Sequence, residues 1–106
     1  MDILKIAVPS NDGVTIFKGM LGRAEKFLIF EMRKGIGVNL LEIRDNPYAE
    51  TLQHLKTLDV YSLIDDCKII LSASIGKKGI ERLEKREVKL VFGKGNISDH
   101  INKISI

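Results

Sequence analysis

The sequence predicts an α/β fold, a mixed five-stranded sheet with helices on its faces, and three patterns lead to that reading. The front half carries a hairpin signature. The middle carries one long helical stripe. In the back half, short apolar runs alternate with helical segments. At 106 residues the chain is read as one domain spanning 1–106, long enough for a real core.

The first apolar run, Ile3 to Val8, reads as a strand stopped by the turn residues Pro9-Ser10-Asn11-Asp12-Gly13. Val14 to Phe17 reads as a short extended piece, and Lys18 to Ala24 as irregular backbone. Phe27 to Met32 is rich in strand formers, and Ile36 to Ile43 reads as its return strand across Arg33-Lys34-Gly35. The glycine suits the hairpin turn. That return strand is long and apolar, and an exposed edge of this kind invites pairing, so a homodimer is expected.

From Tyr48 to Asp66 the period changes. Leu52, Leu55, Leu58, Tyr61 and Ile64 recur every third residue, with Leu63 nearby, while Gln53, Lys56, Thr57 and Asp65 face outward. Pro47 fits the start of this helix, where a missing N–H costs nothing. Lys68 to Leu71 is a continuous apolar run, expected for a strand covered on both faces. Lys77 to Glu87 reads as a helix with Ile80 and Leu83 inward, and Val88 to Phe92 as another strand. A right-handed strand–helix–strand crossover makes these last two strands parallel. Ile97, Ile101 and Ile104 predict a last short helix capped by Ser98.

Hydrophobic residues at 44% and charged residues at 29% are the balance of a folded globular chain, which excludes a disordered tail, a collagen-like repeat or a disulfide scaffold. Lys plus Arg is 17 against 14 for Asp plus Glu, a formal charge of +3. The charges are interspersed rather than gathered on one face, so nucleic acid is not an expected partner. No run is long enough to cross a bilayer, and Met1 to Lys5 shows no secretion signal, so no membrane association is expected. Cys67 is the only cysteine and cannot form an internal disulfide, which points to a reducing cytoplasm.

Chemistry is sparse. An iron–sulfur site generally needs several thiolates, and one cysteine beside a buried strand reads as packing. His54 and His100 have no partner at metal-ligand spacing, so no metal site of the chain's own is expected. The first strand lacks the carboxylate that a two-metal nuclease requires there, and Ser10 and Ser74 have no adjacent histidine for a triad, so a non-enzymatic role is expected. Gly76-Lys77-Lys78-Gly79 is too short for a phosphate-binding loop.

What the chain does offer is an anion-friendly edge. Ligands of open α/β sheets favour the carboxyl ends of parallel strands. Three loops should emerge there: Pro9 to Gly13, Ser72 to Gly76, and Gly93 to Asn96. Helix amino termini behind them supply N–H groups and partial positive charge, and Lys77, Lys78 and Lys94 add full charges.

Several local sequences, in order, resemble the small proteins of dinitrogenase iron–molybdenum cofactor biosynthesis. They are Lys5-Ile6-Ala7-Val8-Pro9, Asn11-Asp12-Gly13, Gly22-Arg23-Ala24 leading into Phe27-Leu28-Ile29, and Asn46-Pro47. Ile70 to Gly76, Gly79 to Leu83 and Val88 to Gly93 complete the series. The resemblance implies a ribonuclease-H-like fold and a part in nitrogen fixation. It also implies a binding or carrier protein for an anionic iron–sulfur or iron–molybdenum cofactor precursor, with that cluster or a cofactor-assembly protein as partner. The residues expected to hold the cluster are Ser10, Asn11, Met20, Arg23, Ser72, Ser74, Gly76, Lys77 and Lys78. Met20 and Leu21 stand where the family usually has histidine and phenylalanine, and a thioether is a softer ligand than an imidazole. The alternative is an interaction or regulatory module of the same fold that has lost metal-cofactor binding.

Overall fold

The computed structural model describes residues 3–47 and 62–104. Five strands form one sheet in the order β3-β2-β1-β4-β5. They are β1 (Ile3–Ser10), β2 (Lys26–Arg33), β3 (Gly37–Asp45), β4 (Ile69–Ser72) and β5 (Lys89–Phe92). Helix α1 (Lys77–Lys85) joins β4 to β5, and a short α2 (Ser98–Ile101) follows. As the sequence predicts, β1, β2 and β3 are antiparallel and β4 and β5 parallel; β1 also pairs parallel with β4. The expected long helix lies outside the described residues except for its end at 62–66, and His54 lies outside them too.

β1 is the centre of the sheet, and its sequence fits that position. Ile6, Ala7 and Val8 are fully buried because elements pack on both faces. Alternate side chains divide between two apolar clusters. Ala7, Phe27, Ile29 and Ile70 meet Leu21, Ile64, Cys67 and Leu83 of α1 on one face. Ile6, Val8, Leu28, Met32, Ile69 and Leu71 meet Ile16, Ile97 and Ile101 of α2 on the other. β1 runs two residues past its expected end, since Pro9 and Ser10 still pair with Phe27 and Lys26. Proline is tolerated because β4 pairs only with Ile6 and Ala7, so no ladder bond is lost on that side.

The hairpin forms where expected. Gly35 adopts a φ of 81°, and the Ile36 N–H donates to the Arg33 carbonyl at 3.0 Å. The register shifts between Ile29 and Phe30, which pair with Glu42 and Leu40, so Leu41 is the extra residue of a bulge in β3.

Two helix ends differ from expectation. α1 stops at Lys85 rather than Glu87 because the backbone turns left-handed at Glu87, φ 62°. The Glu87 N–H donates to the Glu84 carbonyl, and the Val88 N–H to the Leu83 carbonyl, both at 3.0 Å. This is a Schellman ending with glutamate in the position glycine normally takes. α2 is four residues long, and its cap position is Ile97 with no side-chain cap, so the expected Ser98 cap is corrected: Ser98 is already inside the helix.

One ionic cluster ties the chain segment at 62–66 to the sheet. Arg44 donates through two guanidinium nitrogens to Asp66 at 2.7 and 2.8 Å, and through a third to Glu42 at 3.0 Å. It also donates to the Leu63 carbonyl at 2.7 Å, and the Lys5 ammonium donates to Asp66 at 3.0 Å. The Arg44 fork, followed by Lys5, holds the Asp66 carboxyl well below the usual carboxylate range, while burial opposes the shift.

Two expected outcomes follow from these contacts. Glu87→Gly relieves the left-handed strain, so its urea midpoint should rise by the equivalent of about 1 kcal/mol. Asp66 has a folded pKa below its unfolded value near 3.9, so its contribution is present above that pH and fades as pH falls through the folded value. Asp66→Asn should lower stability at neutral pH by about 1 kcal/mol, a modest figure because the pair is partly solvated. Urea titrations from pH 7 to pH 2 should show the parent losing its advantage over the variant towards the acid end.

Candidate functional site

The loops that follow β1, β4 and β5 are bonded to one another at the carboxyl end of these parallel strands. The Gly93 N–H donates to the Ser72 carbonyl at 3.1 Å, which joins the β5 loop to β4. The Ile16 N–H donates to the Gly95 carbonyl at 2.8 Å and the Ile97 N–H to the Val14 carbonyl at 2.9 Å, which joins the β1 loop to the β5 loop. A fourth segment arrives from the approach to β2. Residues Leu21–Arg23 form a 3₁₀ turn, and the Leu21 N–H donates to the Ser74 carbonyl at 2.9 Å. The result is a rim built from three stretches far apart in sequence: the β1–β2 connection, which contributes twice, and the loops after β4 and β5.

Each segment is fixed by its own polar residues. The Asp12 carboxylate accepts from the N–H groups of Val14 and Thr15, both at 2.8 Å, and from the Thr15 hydroxyl at 2.8 Å. These bonds, Thr15 first, hold its carboxyl well below the ordinary range. The Ser10 hydroxyl donates to the Thr15 carbonyl at 2.7 Å and accepts from the Gly13 N–H at 2.9 Å. The Asn11 side-chain oxygen accepts from the Glu25 N–H at 2.8 Å, so it anchors the entry to β2. The buried Asn46 amide donates to the Gly22 carbonyl at 3.0 Å and to the Ala24 carbonyl at 2.8 Å.

On this rim Met20 forms a parallel bridge with Ser74. Its methyl group lies over Gly76, where an added Cβ would approach it to 2.7 Å. Gly76 is the cap residue of α1, so the thioether side chain rests beside the helix amino terminus. That terminus has no side-chain cap and no acid in its first turn. Its residues Lys77 and Lys78 are exposed, next to the positive end of the helix dipole. Met20 is 46% exposed, and Arg23 is exposed at the end of the 3₁₀ turn without an ion pair among the described residues.

Of the residues expected to hold a ligand, Met20, Ser74, Gly76, Lys77 and Lys78 come together here, and Arg23 stands beside them along the 3₁₀ turn. Ser10 and Ser72 are fully buried. Their hydroxyls brace their own loops, Ser72 donating to the Ser74 carbonyl at 3.1 Å. Lys94 is exposed on the neighbouring loop, where its carbonyl bonds the His100 ring at 2.7 Å. The same ring packs against Gly93, at about 3.0 Å from where a Cβ would stand, so His100 is a packing residue. Asn46 and Asp12 also organise the rim; the sequence marks them as turn formers and as parts of the family-like segments Asn46-Pro47 and Asn11-Asp12-Gly13, and not as residues that brace these loops.

Cys67 lies at the opposite end of β4. It lines a cavity of about 410 Å³ with Ile64, Asp65, Lys68, Leu83, Arg86 and Val88. Burial, then the Asp66 carboxylate, pushes its thiol up to about 12, so it stays protonated and is a poor metal ligand. Among the described residues no three His, Cys, Asp or Glu side chains gather into a set that could hold a metal ion. No helix among them is long and apolar enough to cross a membrane.

Fold and rim together define a small α/β protein whose polar loops meet at the carboxyl edge of three parallel strands. The chain belongs to the dinitrogenase iron–molybdenum cofactor family, whose model matches residues 2–105. No curated protein matches it. Solved structures share the fold, and two of them show the extent of the likeness. One is the crystal structure of PH0822, at 24% identity and a TM-score of 0.69, covering 93% of this chain and 86% of that one. The other is the solution structure of a Thermotoga protein described as NifB-like and of the DUF35 family, at 22% identity and a TM-score of 0.66, covering 91% and 82%.

Asn46→Ala should strip the Gly22 and Ala24 carbonyls of a buried donor and cost about 2 kcal/mol. Amide hydrogen exchange should show the loss concentrated at residues 20–25, with β1 keeping its protection relative to the global value.

Proposed function

We propose that this protein binds an anionic metal–sulfur cofactor precursor at the rim and carries it, without catalysing a reaction on it. The observation that supports the reading most is the first turn of α1. It lacks a cap and an acid, it bears Lys77 and Lys78, and the Met20 thioether lies against its cap residue. Two lysines beside a helix amino terminus are electrostatically unfavourable alone, and a polyanion placed there reverses the sign of that interaction. Membership of the cofactor family supplies the chemical class of the guest.

The residues fit a preassembled cluster better than a bare ion. A bare ion needs several strong ligands, and the described residues gather none. A cluster brings its own sulfides and needs neutralising charge, N–H donors and at most a few ligands. Met20 would supply a soft sulfur, suited to a thiophilic metal. Lys77, Lys78 and Arg23 would supply charge, and the first-turn N–H groups of α1 would orient the guest. A cytoplasmic setting suits such cargo, since a reducing compartment preserves it.

The missing imidazole at position 20 favours one second reading: a regulatory module that keeps the fold and meets an assembly protein without holding metal. Anaerobic titration with an isolated cofactor precursor separates the two. The carrier reading expects saturable binding, weakened about tenfold by the double change Lys77→Ala and Lys78→Ala and weakened further by salt. Binding that is absent, or indifferent to both lysines, contradicts it.

A further inference from the structure

We propose that β3 is a self-association edge, through which two copies of this chain join their sheets antiparallel about a two-fold axis at Ile43. The inference is independent of any cargo at the rim.

β3 is the outer strand of the sheet and nine residues long. The Asn46 N–H donates to the Glu25 carbonyl at 2.9 Å. In the register that pairs Phe27 with Arg44 and Leu28 with Ile43, hydrogen-bonded and non-bonded pairs alternate. Arg44 therefore turns its backbone groups towards β2, while Ile43 and Asp45 turn theirs outward. Among the described residues no strand pairs with the outward N–H and carbonyl of Ile43, which are a template for another strand.

The strand is also complementary to itself. An antiparallel copy centred on Ile43 sets Ile43 across from Ile43, and places each Glu42 across from the other copy's Arg44. Ile43 is 54% exposed, so the apolar pair gains burial, and the Glu42 side chain is 45% exposed and open to a second cation. Opposite charges on facing strands stabilise a pairing, and like charges oppose it. Moving the axis one residue to Glu42 would set two carboxylates face to face, so the charges favour the Ile43 register over that neighbour. The bulge at Leu41 bends the strand beyond this point and confines the ladder to a few residues. The dimer is therefore a small interface with rapid exchange, below the area of a permanent one.

Sedimentation equilibrium across a wide concentration range tests this on the full chain. The expected result is a monomer–dimer equilibrium that appears below about 1 mM. Ile43→Lys, which opposes two ammonium groups at the axis, should raise the dissociation constant at least tenfold. Ile36→Lys, the same change at the still more exposed Ile36 of the hairpin turn, should leave it within twofold. In the unaltered chain the Ile43 amide should gain hydrogen-exchange protection as concentration rises, a readout that needs no variant to fold. A monomer throughout, a dimer indifferent to Ile43→Lys, or a dimer in which the Ile43 amide stays unprotected overturns the proposal.

Discussion

The whole arrangement depends on one strand being shared by two kinds of pairing. β1 is antiparallel to β2 on one side and parallel to β4 on the other, with Ile6, Ala7 and Val8 buried on both faces. Because β1, β4 and β5 run the same way, the loops that follow them leave from one edge. Because β2 runs the opposite way, its approach, with Met20 and Arg23, arrives at that same edge. The rim is thus a consequence of strand direction, and the backbone bonds from Leu21, Gly93 and Ile16 tighten what the topology has already assembled.

The rim divides its polar residues into two kinds. Ser10, Asp12, Asn11, Ser72 and Asn46 spend their donors and acceptors on neighbouring backbone, which makes the loops rigid. Lys77, Lys78 and Arg23 remain at the surface around the thioether of Met20. Loops braced in this way, with charges left at the surface, suit the proposed anionic guest, since little backbone has to reorganise when it arrives. The ionic cluster of Lys5, Arg44, Asp66 and Glu42 lies apart from this rim and serves the fold.

Most of the fold was legible in the sequence because it is written in local apolar patterns. The runs at Ile3, Phe27 and Ile69 are strands, the glycine at 35 makes the turn, and the parallel relation of β4 and β5 follows from the helix between them. What the sequence hid was set by backbone conformation. A left-handed glutamate at 87 ends α1, although glutamate is an ordinary helix residue, and Ile97 rather than Ser98 caps α2. The contacts of Asn46 and Asn11 span 22 to 24 and 14 residues, and no local pattern announces such a bond. At the site, Lys77 and Lys78 are readable as charges at a helix start, whereas the closeness of Met20 to Gly76 exists only once Ser74 pairs with the β2 approach.

The proposed place for an anionic metal–sulfur guest is beside Gly76, at the α1 amino terminus with its two lysines and the Met20 thioether. Amide chemical-shift mapping with tetrathiomolybdate, a small anion of that chemistry, measures it directly. The account predicts perturbations concentrated at Met20, Gly76, Lys77 and Lys78, saturating together and fading with salt. Shifts gathered instead around the cavity at Cys67 and Arg86, or spread evenly over the surface lysines, would contradict it.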